Sequence, residues 1–267
     1  MCTVVVLFRP GHPWPILLAA NRDEMANRPW RPPGRHWPDR PDVVAGLDEL
    51  AGGTWLGLNV DGVLACILNR RGTLGPKPGL RSRGELPLEA LDHAEARIAA
   101  GALSQIEPAS YRAFNMVIAD GRQAFWLRLK GEEMGEEDTS NGKSADRAAG
   151  RAVEALALPE GLSMITAYDR NDEGSERIGF HLPRFRAAAP PDPETGDWTE
   201  WARLMASTDR APGSGPHGAM QIETDHGFGT VSSSLLALPA PARFGVKPRW
   251  LFAPGPPGKT AYAPVPT

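Results

Sequence analysis

The chain opens with an apolar, β-branched run, CTVVVLF (2–8), and a second run, ILLAA (16–20), leads into the polar tetrapeptide NRDE (21–24). Between them, RPGHPWP is turn chemistry, so the two runs predict an antiparallel hairpin. Pairing Phe8 with Ile16 sets a register that brings Arg22 opposite Cys2, so that NRDE folds onto the N-terminal cysteine. TWLGLN (54–59) and VLACILN (63–69), joined by VDG, predict a second hairpin, and FNMVIAD (114–120) with QAFWLRL (123–129) a third. In ELPLEALDHAEARIAAGAL (85–103), Leu88, Leu91, Ala94 and Ile98 recur at helical spacing and predict one helix. A further strand is expected over GLSMITAY (161–168), a helix over 193–207 carrying Trp198, Trp201 and Leu204, and strand on both sides of GFGT between Met220 and Leu238.

The polar intervals carry their own expectations. Pro- and Gly-rich residues 28–53 read as a long surface excursion and 72–84 as a basic, glycine-rich loop. Residues 131–150 are polar and nearly without large apolar side chains, which predicts a mobile loop or linker. The tail 254–267 is Pro-rich and expected to wrap the surface. Hairpins with a few helices, and no βαβ alternation, give an α+β protein with antiparallel sheets, and 1–267 reads as a single domain.

Composition narrows the function. Hydrophobic residues make up 41% and charged residues 23% of the 267, as in ordinary globular proteins. The net charge is −3 with the signs interspersed, so nucleic acid is not an expected partner. The first apolar run is too short for a signal-peptide core or a membrane span, so the expectation is a cytoplasmic protein with no integral membrane segment. Two cysteines make no disulfide framework. The six histidines, His12, His36, His93, His181, His217 and His226, lack metal-ligand spacing, and no metal site is expected. SSS (232–234) lacks a GxSxG elbow, which argues against a serine hydrolase.

Several blocks are specific enough to suggest a family. MCT at the start, ANRDE (20–24), GGTWLGLN (52–59), ILNRRG (67–72), SRGELP (82–87), FNMVIAD (114–120) and TVSSSLL (230–236) run in the family order. On these the chain resembles the Transport and Golgi organisation 2, or NRDE, family. The resemblance implies a branch of the N-terminal nucleophile (Ntn) hydrolases, with a four-layer αββα sandwich of two antiparallel sheets flanked by helices. The mechanistic relatives it implies are the cysteine-type penicillin and bile-salt amidases. Family members are also discussed as haem- or acyl-lipid-handling proteins.

With that resemblance, Cys2 becomes the candidate nucleophile. Met1 is removable before a small residue, and the product carries a thiol and an α-amine on one residue. The amine's reference pKa of about 7.7–8.0 suits a general base. The competing reading of Cys2 is a small hydrophobe at the start of a buried strand. Alternation puts Asn21 and Asp23 on one face of their strand and Arg22 and Glu24 on the other. Asp23 is the candidate holder of the Cys2 amine, and Asn21 a candidate donor to a substrate carbonyl. The bile-salt amidases space an Arg and an Asp three residues apart, whereas Arg22 and Asp23 are adjacent. Asn69 and Asn115 are candidate oxyanion donors, or alternatively strand-end asparagines satisfying turns. Arg70 and Arg83, with Arg71 and Arg81, flank the glycine-rich loop and suit a carboxylate or phosphate. Arg22, Glu24 and Trp55, with Trp30, are candidate pocket residues, and Cys66 is expected in the core. The first functional reading is a cysteine hydrolase of a linear amide or thioester, with no cofactor required. The second is a non-catalytic carrier of an amphipathic or anionic small molecule such as haem or an acyl group.

Overall fold

In the computed structural model, which describes residues 2–131 and 151–267, the chain forms two antiparallel sheets. The first sheet contains, in spatial order, β10 (Gly161–Ile165), β1 (Thr3–Phe8), β2 (Ile16–Met25), β11 (Phe228–Leu238), β12 (Arg249–Ala253) and β13 (Ala263–Pro264). The second runs β3 (Trp30–Gly34), β4 (Val43–Asp48), β5 (Leu56–Asn59), β6 (Leu64–Asn69), β7 (Phe114–Ala119), β8 (Ala124–Leu129) and β9 (Val153–Ala157). Four α-helices cover the outer faces: α1 (Glu85–Leu91) and α2 (Ala96–Leu103) on the second sheet, α3 (Glu176–Ala187) and α4 (Thr199–Met205) on the first. The result is a four-layer αββα sandwich. Among the described residues no helix is long and apolar enough to cross a membrane.

Side-chain parity explains the layers. In β1 and β2, Val4, Val6, Ile16, Leu18 and Ala20 pack between the sheets with Leu56, Leu64, Cys66 and Leu68 of β5 and β6. The alternate residues Val5, Leu17 and Ala19 pack outward against α3 and α4 through Ile178, Leu182, Phe185 and Trp201. The hairpin has the expected register, with Phe8 opposite Ile16 and Thr3 opposite Asn21. The same parity carried along β2 sends Arg22 and Glu24 to the inter-sheet side and Asn21 and Asp23 to the helix side.

Several expectations are corrected. Residues 28–53 are not a simple excursion, because they supply β3 and β4 at one edge of the second sheet. Edge position is what allows Pro32 and Pro33 inside β3. The helix expected over 85–103 is two helices. Asn59 ends the first by donating through Nδ2 to the carbonyls of Leu91 (2.9 Å) and His93 (2.8 Å). Asp120 Oδ2 then accepts from the Ala96 N–H at the start of the second (2.9 Å). Ala94 and Ile98 are therefore exposed, and α2 buries Ala96, Ala99, Ala100 and Leu103 instead. Around GFGT, β11 begins within the motif at Phe228, while upstream the strand expected is reduced to an isolated bridge between Glu223 and Gly229; part of the tail joins the sheet as β13. The loop expected over 131–150 lies, apart from Gly131, outside the described residues.

Two glycine contacts hold the cleft end of the sandwich together. A Cβ on Gly53 would lie 2.4 Å from the Gly84 carbonyl carbon, and the Thr54 N–H donates to the Gly84 oxygen (2.8 Å). The GGTWLG and SRGELP blocks are thus in direct backbone contact. A Cβ on Gly46 would lie 2.3 Å from the Trp55 ring, so the indole lies flat where β4 has no side chain.

Candidate active site

The cleft of about 330 Å³ is bounded by the end of the β1–β2 hairpin, the Trp55 region, the end of β6 and the loop 72–84. Cys2, Arg22, Asp23, Glu24, Trp55, Asn69 and Arg83 all line it. The Cys2 thiol donates weakly to the Asp23 carbonyl oxygen (3.7 Å). Burial and, secondarily, the negative charge of Asp23 push the thiol above its ordinary pKa. The resting group is therefore the neutral thiol, and a base is needed to make it a nucleophile.

Arg22 is the most buried of the cations lining the cleft. It is 6% exposed and stacks its guanidinium over Trp55, 4.2 Å from the ring centroid, with Trp30 at 5.9 Å. Trp30 in turn meets Trp55 edge-on, with centroids 5.8 Å apart. The Arg22 guanidinium lies 4.0 Å from the Asp48 carboxylate, and its Nη1 has no hydrogen-bond partner among the described residues. Burial lowers its pKa. Glu24 Oε1 accepts from the Met25 N–H (2.9 Å), and Arg28 lies 3.7 Å from Glu24 and 2.7 Å from Asp48.

Asp23 borders the cleft and its carbonyl meets the Cys2 thiol, but its carboxylate lies on the helix side of β2. Oδ1 accepts from Thr230 Oγ1 (2.7 Å) and Oδ2 from Arg177 Nη1 (3.1 Å), and both members of this ion pair are buried. Arg177 Nη1 also donates to Thr3 Oγ1, the residue next to Cys2. Arg177 was not among the sequence candidates. It comes from α3, 154 residues away along the chain, and the only local signal was the helical spacing of Ile178, Leu182 and Phe185 after the cap Ser175.

Four sequence candidates, Asn21, Asn115, Arg70 and Arg71, lie away from the cleft's chemistry. Asn21 Nδ2 donates to the carbonyls of Met205 (3.0 Å) and Met220 (2.9 Å), so both amide hydrogens are spent on the helix layer. Asn115 is fully buried and pins the two sheets together. Its Nδ2 donates to Thr166 (2.9 Å) and Tyr168 (2.7 Å) carbonyls, and its Oδ1 accepts from Arg70 (2.7 Å) and Trp126 (3.2 Å). With no free N–H, it cannot serve as an oxyanion donor. Arg70 completes that network through Asp169 (2.7 Å) and does not line the cleft. Arg71 lies over the Tyr168 ring, also outside it. Asn69, by contrast, has a side-chain amide engaged by no other described residue. Cys66 is buried between the sheets, and burial raises its pKa. No group of three His, Cys, Asp or Glu residues suited to a metal ion occurs among the described residues.

The sequence blocks that build this cleft also match a family model, Transport and Golgi organisation 2, over residues 1–147. The chain belongs to that family. Curated members of the Transport and Golgi organisation 2 family include a Mus musculus homolog, 33% identical over 129 residues, and a Homo sapiens homolog, 32% identical over 129 residues. Each match covers 45% of this chain and 45% of the relative, so the chain spans about half the length of the curated relatives it matches. Among solved structures, the Caenorhabditis elegans N-acylethanolamine-hydrolyzing acid amidase ortholog superposes with a TM-score of 0.55 at 11% identity, covering 88% of this chain and 92% of that one. At that identity the likeness concerns the fold, an Ntn-hydrolase-like αββα sandwich.

Proposed function

We propose that this chain is an N-terminal-cysteine hydrolase of a linear amide or thioester. The observation that carries the reading is the Cys2 thiol lining a cleft beside Arg22 and the free amide of Asn69, on an αββα frame. The amidase of similar fold makes an acyl-transfer reaction the natural class, as an argument from analogy.

In the proposed mechanism Met1 is removed and the Cys2 α-amine takes the thiol proton as sulfur attacks the substrate carbonyl. The Asn69 amide donates to the developing oxyanion, with the positive charge of Arg22 nearby. The ammonium returns its proton to the leaving group, and the C–N or C–S bond breaks to leave a thioester on Cys2. Water, deprotonated by the same amine, then releases the acid and regenerates the thiol. Asp23, Thr230 and Arg177 hold the end of β1 that carries Cys2. Nothing in this chemistry calls for a metal or an organic cofactor.

The test is turnover of short-chain amides and thioesters by wild type and Cys2→Ala. The proposal expects turnover by wild type and none by the variant. Unchanged turnover in Cys2→Ala would sink it. The carrier reading predicts instead ligand binding with no turnover by either protein.

A further inference from the structure

The cleft is electrostatically unbalanced by design of its wall. Two arginines, Arg112 and the loop's own Arg83, pin residues 72–75 of the loop 72–84. Arg112 donates to the carbonyls of Gly72 (2.7 Å), Leu74 (2.8 Å) and Gly75 (3.1 Å). Arg83 donates to Thr73 Oγ1 (2.8 Å), the Thr73 carbonyl (2.7 Å) and the Ala113 carbonyl (2.9 Å). Every one of these acceptors is neutral, so both guanidiniums are fixed in place with their charge uncancelled. Lys77, on the same wall, pairs with no carboxylate among the described residues.

The carboxylates of the cleft are already taken. Arg28 holds Asp48 and lies by Glu24, while Arg177 holds Asp23. Arg81 is committed to Glu85 (2.6 Å) and Glu89 (3.4 Å). Arg22 is buried with Nη1 unpartnered. With Arg81 neutralised by its pairs with Glu85 and Glu89, and the Asp23 carboxylate turned to the helix side against Arg177, the lining carries Arg22, Arg28, Lys77, Arg83 and Arg112 against Glu24 and Asp48. Burial, and then the proximity of Arg112, lowers the pKa of Arg83 to about 10. A bound anion would relieve that repulsion, and concave walls strengthen the attraction for it.

Resting on the hydrolase reading above, we propose that the substrate is anionic. Its carboxylate or phosphate docks between Lys77, Arg83 and Arg112 at the wall, while its amide or thioester carbonyl reaches Cys2. A substrate with an uncharged head, like the N-acylethanolamines named for the amidase of similar fold, leaves these three charges unmet.

The experiment uses three octanoyl amides that differ only in the head: N-octanoylglycine, N-octanoylphosphoethanolamine and the uncharged N-octanoylethanolamine. Binding to the non-turning-over Cys2→Ala protein is measured by calorimetry at low and high salt. The proposal expects at least one anionic amide to bind about 10-fold or more tighter than the ethanolamide at low salt, with the advantage shrinking at high salt. The two anionic arms distinguish carboxylate from phosphate. Lys77→Glu is expected to weaken the anionic ligand by about 3- to 10-fold and leave the ethanolamide unchanged. Equal binding of all three, tighter binding of the ethanolamide, no binding of any, or an unchanged preference in Lys77→Glu would each overturn it. The two readings fail separately. Cys2-dependent turnover without anion preference removes only the anionic substrate, and anion preference without Cys2-dependent turnover removes only the hydrolase.

Discussion

Replacing Arg177 by Met isolates what the buried ion pair behind Cys2 contributes. Arg177 and Asp23 have side chains only 3% and 0% exposed, with Nη1 and Oδ2 3.1 Å apart. At an effective dielectric of about 20 that separation corresponds to roughly 5 kcal/mol of gross attraction. Desolvation offsets much of it, but removing one partner leaves the other charge buried, which costs about 3–5 kcal/mol. Thr230 still donates to Asp23, so the lower half of that range is the expectation. For a chain of this size that is a fall in Tm of about 10 °C. Urea unfolding should show the midpoint move at unchanged slope. Asp23→Asn should cost less in the Arg177→Met background than alone, by about 1–3 kcal/mol. Arg177→Met within about 0.5 kcal/mol of wild type, or strict additivity with Asp23→Asn, would refute the argument.

The remaining predictions address the cleft and the pH response. Gly53→Ala should destabilise by about 1–3 kcal/mol, measured by urea unfolding, because its Cβ would meet the Gly84 backbone at 2.4 Å, where no flexible side chain can yield. Asn69→Ala should cut kcat/KM by about 100-fold or more at nearly wild-type stability, while Asn115→Ala, which loses contacts to four partners, should lose about 2–4 kcal/mol of stability. His181 is fully buried, bonds through Nε2 to the Asp209 carbonyl (3.1 Å), and burial pushes its pKa down to about 4. Unfolded, it takes up a proton near pH 6.5 that the native state refuses until about pH 4. Stability should therefore fall as pH drops through that window, by up to about 3 kcal/mol, and His181→Gln should flatten the slope.

The strands legible in the sequence are those whose alternation is undisturbed. β1 with β2, β5 with β6 and β7 with β8 could be read with their turns, and the first even with its register. The layering came with the family resemblance, since periodicity alone does not say how two sheets stack. β3 was hidden by Pro32 and Pro33, which an edge strand tolerates. α3 was hidden because Arg177 and His181 lie on its buried face and Pro183 falls inside it. At the site, parity separated Asn21 and Asp23 from Arg22 and Glu24 correctly. It could not say which pair faces the cleft, and the answer reverses the role expected of Asn21. Asn69 and Asn115 look alike as strand-end asparagines. Only tertiary partners, Thr166 and Tyr168 from the facing sheet's continuation, distinguish a structural pin from a free amide.

The central claim is that Cys2 is an acyl-accepting N-terminal nucleophile, and mass spectrometry tests it most directly. The purified chain is incubated briefly with an octanoyl thioester at neutral pH, then weighed intact and mapped by peptide. The account predicts a chain lacking Met1 that carries one octanoyl group, located on Cys2 and absent from Cys2→Ala, with buried Cys66 unmodified. Retention of Met1 with no adduct on Cys2, or the same adduct in Cys2→Ala, would contradict it.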